Sequence, residues 1–149
     1  MQLPAITIPI SLPFDVPLML HPIIVHFAVV LPIVVLLIEL ANLAFKRRAL
    51  SITSLVLLLT AFVVYVGAYY SGKADGSEAW DMLGADARAE LGAHRLLGTY
   101  LVYGLLIPIA FKIVAMFVKQ KWARSALIVT LVMFISFLLK QGYDGGELV

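Results

Sequence analysis

The sequence predicts an all-α protein: a bundle of four transmembrane helices with both termini on the outer side of the membrane. Hydrophobic residues make up 62% of the chain and charged residues 13%, against about 45–50% and about 25% in soluble domains. The apolar residues are gathered into long runs that short polar or basic segments separate. A chain of 149 residues with this pattern is expected to form one integral membrane domain, residues 1–149.

The chain contains no cysteine, and its net charge is +2 at pH 7. The absence of thiols excludes disulfides, iron–sulfur clusters, thiolate-ligated haem and covalent haem attachment of the c type. So small a charge does not indicate a nucleic-acid-binding surface, and we expect no nucleic-acid partner. Any bound cofactor is therefore expected to have nitrogen, oxygen or thioether ligands.

Residues 1–21 are predicted to form an extended lead-in rather than a helix. Each proline in this segment fixes the backbone and removes an N–H donor, which prevents a continuous helix. The segment also lacks the basic region and the small-residue cleavage site of a signal peptide. Its prolines are Pro4, Pro9, Pro13 and Pro17.

Two long apolar runs follow the lead-in and predict helices over residues 22–45 and 50–70. Each run reaches the roughly 20 residues that cross a hydrocarbon core. Pro22 suits the first turn of the first helix, where a missing N–H costs nothing. The basic turn Lys46-Arg47-Arg48 is so short that the two helices are expected to be antiparallel neighbours.

Residues 71–93 are rich in charged residues and glycines and are predicted to form a polar outer loop. Good helix formers from Asp86 onward predict a third helix over residues 86–118, which carries His94 into the membrane. The fourth helix is predicted over residues 122–141, a shorter apolar run that reaches spanning length with its flanking residues.

Glu39 and Lys112 are charged residues inside the apolar runs. Lys112 lies near the end of the third run, so its long side chain is expected to snorkel to the interface. Glu39 lies near the end of the first run and is expected to pair with Lys46 or Arg47 of the neighbouring turn.

Basic turns at residues 46–48 and 119–124 lie at the same end of the predicted bundle. Basic residues in short loops favour the cytoplasmic side, which places both termini and the polar loop outside. We therefore expect a multi-pass protein of the bacterial inner (cytoplasmic) membrane with its outer side toward the periplasm.

His21, His26 and His94 are the three histidines of the chain, and all lie near the outer end of a predicted helix. An imidazole inside a membrane is costly unless it has a partner, so these residues indicate a functional site. At about 1.5 Å per residue, His26 lies about 6 Å below Pro22, at a depth comparable with His94. We expect these two imidazoles to face each other across the bundle and to bind a haem iron.

Three further residues complete the predicted haem site. His21 is the alternative ligand, because it lies about 140° from His26 around the helix and cannot face the same point. Gly98 lies one turn below His94 and is expected to leave space for the macrocycle, and Arg95 is a candidate partner for a haem propionate. If the histidines bind no iron, they are interfacial residues bonded to carbonyls, carboxylates or water.

Three motifs give the chain a resemblance to a known family: His21-Pro22-Ile23-Ile24-Val25-His26-Phe27, Gly92-Ala93-His94-Arg95, and Gly145-Gly146-Glu147-Leu148-Val149. With them, nearly the whole chain resembles the small bacterial membrane proteins of domain-of-unknown-function family 2231. The resemblance implies a four-helix fold similar to cytochromes b, with haem ligation at His26 and His94 and His21 as a further candidate. Ala28 departs from the proline that often follows His-Phe in this family, and the chain ends where a Tyr-Gly continuation is usual.

The sequence thus favours a cytochrome b-like electron-transfer protein that binds haem b. A bis-histidine iron has no open position, so an electron carrier or subunit is expected rather than a stand-alone enzyme. We expect it to pass electrons between a quinone and a periplasmic redox partner, within a larger respiratory assembly or as a homo-oligomer. Two alternatives stay open: a non-redox structural or accessory membrane subunit, and a transition-metal-binding protein whose three histidines converge with Asp75 or Asp86.

Overall fold

The computed structural model describes residues 6–9, 11–118 and 120–146, and these residues form a bundle of helices with no strand. Four helical segments within these ranges are long and apolar enough to cross a membrane. The predicted four-helix transmembrane fold is therefore confirmed, and contact with a lipid bilayer follows from it. The side of the membrane on which the termini lie stays a prediction, and residues 147–149 of the C-terminal motif lie outside the described residues.

Five α-helices and one short 3-10 turn build the four spans. A 3-10 turn connects the second and third helices, and Arg88 holds it by donating from Nε to the Trp80 carbonyl at 2.9 Å. The third and fourth helices together form the third span. The helices are α1 (His21–Phe45), α2 (Arg48–Ala79), α3 (Ala85–Gly104), α4 (Leu106–Phe117) and α5 (Lys121–Gly146), and the 3-10 turn is Trp80–Met82.

The core of the bundle lies between α1, α2, α5 and the third span. Helices α1 and α2 pack against each other as an antiparallel hairpin, as the short basic turn predicted. Large apolar side chains on the outer surface, such as Leu37 and Val63, are 60% and 69% exposed, as expected where helices face lipid. The buried centre includes Ala28, Val35, Leu58, Ala61, Leu101, Leu105, Leu127 and Leu131.

Helix α2 continues past its predicted end at Tyr70 to Ala79, and α3 begins at Ala85. Most of the segment predicted to be a polar loop, residues 71–93, is therefore helical. The polar residues of the segment therefore lie on the last turns of α2 and the first turns of α3, next to the apolar parts of these helices. The predicted loop is reduced to the 3-10 turn and the two residues that follow it.

Gly72 and Gly76, two glycines of the predicted polar loop, lie inside α2. The His21 ring packs against Gly72, and the Arg95 guanidinium lies 3.2 Å from the position that a Cβ would take at Gly76. These contacts explain why the helix continues. Packing by neighbouring helices outweighs a glycine penalty of about 1 kcal/mol per residue.

The third span is interrupted at Leu105, between α3 and α4. Pro108 has no N–H to donate to the carbonyl of Gly104, so one hydrogen bond of the helix is missing. Leu105 N still donates to Leu101 O at 3.0 Å, and Ile109 N donates to Leu105 O at 3.3 Å. The helix predicted over residues 86–118 is therefore two helices that form one span.

The described part of the lead-in, residues 6–9 and 11–20, contains no helix. Two hydrogen bonds hold it against the bundle. The Tyr103 hydroxyl donates to the Thr7 carbonyl at 3.2 Å, and the backbone N–H of Met19 donates to Asp75 Oδ1 at 3.0 Å. The lead-in thus lies along α3 and reaches α1 beside α2.

Glu39 and Lys112 form an ion pair inside the bundle, with side chains only 8% and 1% exposed. Ser54 donates to the same Glu39 oxygen, and Lys112 Nζ also donates to Ser51 Oγ at 2.8 Å. The predictions that Lys112 reaches the interface and that Glu39 pairs with the basic turn are wrong. The packing of the spans places the two charges opposite each other, and each is the other's nearest counter-ion.

Candidate functional site

His21 lies at the end of the bundle opposite the basic turns, which we call the histidine end. Its imidazole packs onto α2, with Nδ1 3.1 Å from Ser71 Oγ. A Cβ at Gly72 would lie 2.8 Å from His21 Cε1, so a glycine is needed for the ring to take this place. The Asp75 carboxylate, one turn further along α2, attracts the ring electrostatically. The first residue of α1 is thereby fixed to the second helix.

His94 takes a similar place on α3, where its imidazole packs onto α5. A Cβ at Gly145 would lie 2.8 Å from His94 Cε1, so again a glycine accepts the ring. Gln141, one turn earlier on α5, donates from Nε2 to the His94 carbonyl at 2.9 Å. Helix α5 therefore holds both the backbone and the side chain of His94.

His21 and His94 are close enough to interact electrostatically, although they belong to different spans. Helices α1, α2, α3 and α5 all contribute to their surroundings. Both rings are partly buried, and each lies over a glycine of a neighbouring helix. We call this group the histidine site; its members are His21, Ser71, Gly72, His94 and Gly145.

Three buried polar atoms next to the histidine site have no hydrogen-bond partner among the described residues. They are His94 Nδ1, Arg95 Nε and Gln141 Oε1. Buried polar atoms in native proteins are nearly always hydrogen-bonded, and exceptions indicate a bound group or an ordered water. The surroundings of His94 therefore offer unpaired polar atoms to a ligand.

His26 does not belong to the histidine site. Its side chain is exposed, and its Nδ1 contacts the Pro22 carbonyl of its own helix. The expectation that His26 faces inward and His21 caps the helix is therefore wrong. Helix α1 begins at His21 itself, and the roughly 140° between the two positions turns His26 outward when His21 contacts α2.

A family model described as "Predicted membrane protein (DUF2231)" matches residues 17–149. The chain belongs to the DUF2231 family. The match includes the three histidines and all four spans, and it confirms the resemblance drawn from the histidine motifs. No curated protein and no solved structure matches this DUF2231 chain. Family membership establishes a membrane protein, and its function has to be argued from the site.

Two further predicted site residues of the DUF2231 chain, Gly98 and Arg95, differ in their surroundings. The amide of Gln141 lies 3.4 Å from the position of a Cβ at Gly98, so the expected free space beside Gly98 is filled. Arg95 Nη2 donates to Lys73 O at 2.8 Å and to Ser77 Oγ at 3.1 Å. Arg95 borders an open cleft of about 350 Å³ at the histidine end.

The three histidines do not converge with a carboxylate into a metal site. Among the residues described, no group of three or more histidine, aspartate or glutamate side chains is placed to hold a metal ion. Asp75 accepts the Met19 N–H, whereas Asp86 and His26 are exposed. The geometry of this DUF2231 chain therefore does not support the transition-metal interpretation.

The donor set of the histidine site fits a haem. Two imidazole ligands are sufficient for a low-spin haem, and His21 and His94 come from separate spans of the bundle. His94 Nδ1 is unpaired among the described residues, and the neighbouring Arg95 would supply a cation for a propionate. Gly98 does not contribute space, because Gln141 occupies it. The residues of this DUF2231 chain that fit the group are therefore His21, His94 and Arg95.

The sequence did not indicate a role for four residues at or beside the histidine site: Ser71, Gly72, Gly145 and Gln141. A signal was present for α2, where Ala68, Ser71 and Gly72 are small residues at the three- and four-residue spacing of one helix face. Such a face lets another element approach the helix closely. For α5 no comparable pattern distinguishes Gly145 from the exposed Gly142 and Gly146.

Proposed function

We propose that the protein is a cytochrome b-like electron carrier that binds haem b through His21 and His94. The observation that carries the proposal is that these two partly buried imidazoles, from α1 and α3, lie close enough at the histidine end to interact electrostatically. The assignment differs from the sequence-based one, since His21 replaces His26 as the ligand on α1. His26 is exposed and bonded within its own helix.

A haem held by two histidines supplies one-electron chemistry, because the iron has no open position for a substrate. The protein is therefore an electron carrier or subunit rather than a stand-alone enzyme. Its own residues set the ligand geometry: Gly72 and Gly145 allow each ring to lie against a helix. Arg95, with one buried unpaired donor, binds a propionate at the same end.

The distribution of charge supports the proposed orientation of the bundle. Arg47, Arg48 and Lys121 lie at the end opposite the histidine site, and basic residues in short loops favour the cytoplasm. We place the protein in the bacterial inner membrane with the histidine site toward the periplasm. The partners are a quinone, a periplasmic redox protein, and other respiratory subunits or further copies of this chain.

The proposal is tested by the reduced-minus-oxidised absorption spectrum of detergent-purified protein, expressed with a haem precursor. We expect a haem b spectrum in the wild type and its loss in His21→Ala and His94→Ala. The matched control is His26→Ala, which removes an exposed imidazole from the same helix and is expected to keep the spectrum. Protein that stays colourless after reconstitution with haem would contradict the proposal, as would loss in His26→Ala alone.

The main alternative is a non-redox accessory membrane subunit. One observation favours it: the Gln141 amide fills the space beside Gly98 that a macrocycle was expected to use. In this alternative, His21 and His94 only connect helices. Their alanine variants then lower the stability of the bundle, and neither the wild type nor the variants have a haem spectrum. Thermal unfolding of the three histidine variants, measured beside their spectra, separates the two functions.

A further inference from the structure

Ser71 connects the His21 ring to the backbone of α2. The Ser71 side chain is fully buried. Its Oγ lies 3.1 Å from the Ala68 carbonyl oxygen and 3.1 Å from His21 Nδ1. The Ala68 carbonyl can only accept, and both the Ser71 hydroxyl and the His21 ring are within hydrogen-bonding reach of it. When the Ser71 hydroxyl donates its one hydrogen to Ala68, the serine oxygen accepts a hydrogen bond from His21 Nδ1–H.

This arrangement favours one of the two ring nitrogens of His21 as the free one. A neutral imidazole carries one N–H, and the other nitrogen holds a lone pair. With the proton on Nδ1, the lone pair of His21 is on Nε2. Metal-binding histidines commonly donate their second ring N–H to a protein oxygen, which fixes the tautomer and makes the ligand more basic.

We infer that Ser71 is a positioning residue that holds His21 in the Nδ1–H tautomer and so selects Nε2 as the ligand atom. The inference rests on the proposed haem-binding function. It makes the two ligands unlike each other, because His94 Nδ1 has no hydrogen-bond partner among the described residues. The tautomer of His21 is fixed in advance, whereas no hydrogen bond to Nδ1 from a described residue fixes the tautomer of His94.

The structural alternative is that Ser71 only bonds to its own helix, as serine hydroxyls in membrane helices often do. Ser136 provides the matched control. Its hydroxyl donates to the Val132 carbonyl at 2.9 Å on α5, and its side chain is exposed. Ser136→Ala therefore removes a hydroxyl of the same kind, outside the histidine site.

The first test uses protein without haem, with nitrogen-15 in its histidines, at a pH where the imidazoles are neutral. Nitrogen-15 chemical shifts separate protonated from unprotonated ring nitrogens, and His21→Ala identifies the His21 signals. We expect Nδ1–H in the wild type, in Ser71→Thr and in Ser136→Ala, and a mixture of tautomers in Ser71→Ala. A wild-type His21 protonated on Nε2, or an unchanged tautomer in Ser71→Ala, would overturn the inference.

The second test uses the haem-loaded protein. Loss of a partner hydrogen bond to a metal-binding histidine typically weakens binding by about 10- to 100-fold. We expect Ser71→Ala to lower haem affinity within that range and to raise the reduction potential, since a less basic ligand stabilises ferric iron less. Ser136→Ala should change neither quantity. A colourless wild type with the expected tautomer contradicts the haem function, whereas a coloured wild type with an unaffected Ser71→Ala contradicts the role of Ser71.

Discussion

His94 and Gly145 are packed so closely that a Cβ on the glycine would lie 2.8 Å from the Cε1 atom of the imidazole. Contacts this short are essentially never seen for real Cβ atoms, so any side chain at Gly145 requires the ring to move. Gly142 lies one turn away on the same helix, is exposed, and has no atom within 4 Å of its Cβ position. The two glycines therefore form a matched pair for testing whether the site needs this approach.

We expect Gly145→Ala to displace the His94 ring at a cost of about 1–3 kcal/mol, the usual range for overpacking. Gly142→Ala should be neutral or stabilise the helix by about 0.5–1 kcal/mol. Haem absorbance per protein and thermal unfolding in detergent measure both effects. Equal results for the two variants would show that the contact at Gly145 is unimportant.

Gly72→Ala is expected to displace His21 in the same way, because its Cβ would lie 2.8 Å from that ring. The control on α2 is Gly67→Ala, whose Cβ would make an ordinary contact with Ile24 at 3.9 Å. Nitrogen-15 shifts of His21 and the haem spectrum should change only in Gly72→Ala. Unchanged His21 shifts in that variant would contradict the described packing.

Single replacements within the Glu39–Lys112 pair are expected to destabilise the bundle strongly. Breaking a buried ion pair leaves one charge unpaired and typically costs about 3–5 kcal/mol. We expect this loss in Glu39→Leu and in Lys112→Leu, and recovery of most of it in the double variant. Thermal unfolding in detergent provides the measurement.

The control for this pair is Lys140→Met, which breaks the ion pair between Lys140 and Asp144. The Lys140 side chain is 63% exposed, and exposed pairs contribute at most about 1 kcal/mol. A double leucine variant no more stable than the worse single variant would show that Glu39 and Lys112 do not act as a pair.

Tyr103→Phe is expected to loosen the lead-in, since it removes the hydrogen bond to the Thr7 carbonyl. One such bond contributes about 1 kcal/mol, so the effect should be local. Hydrogen exchange should become faster in residues 6–9, with little change in the spans. Tyr143→Phe, at a tyrosine that is 67% exposed, is the control, and equal exchange in both variants would contradict the contact.

The four spans could be predicted from the sequence, because the length and apolarity of each run decide whether a helix crosses a membrane. The orientation of individual residues could not. The choice between His21 and His26 depends on which face of α1 meets α2, and a shift of the helix start exchanges their roles. The partner of Lys112 depends on which span lies beside it, and the sequence of one span does not show which other span packs against it.

The extension of α2 was missed for a related reason. Glycine is a weak helix former in isolation. Nothing in the sequence indicated that His21 and Arg95 would pack against Gly72 and Gly76. Ser71 and Gly72 lie in the extension of α2, so their place in the site could not be predicted without that extension. Composition therefore predicted the membrane, and packing between spans determined the site.

The ion pair between the first and third spans also bears on biosynthesis. A lysine within a membrane span opposes insertion, by about 2.5–3.5 kcal/mol at the centre of the helix and by less toward its end, where Lys112 lies. Glu39 is synthesised before Lys112, within the hairpin of α1 and α2. We expect the third span to enter the lipid efficiently only when that hairpin is already present to receive it, so that the order of translation becomes part of how this chain reaches its bundle.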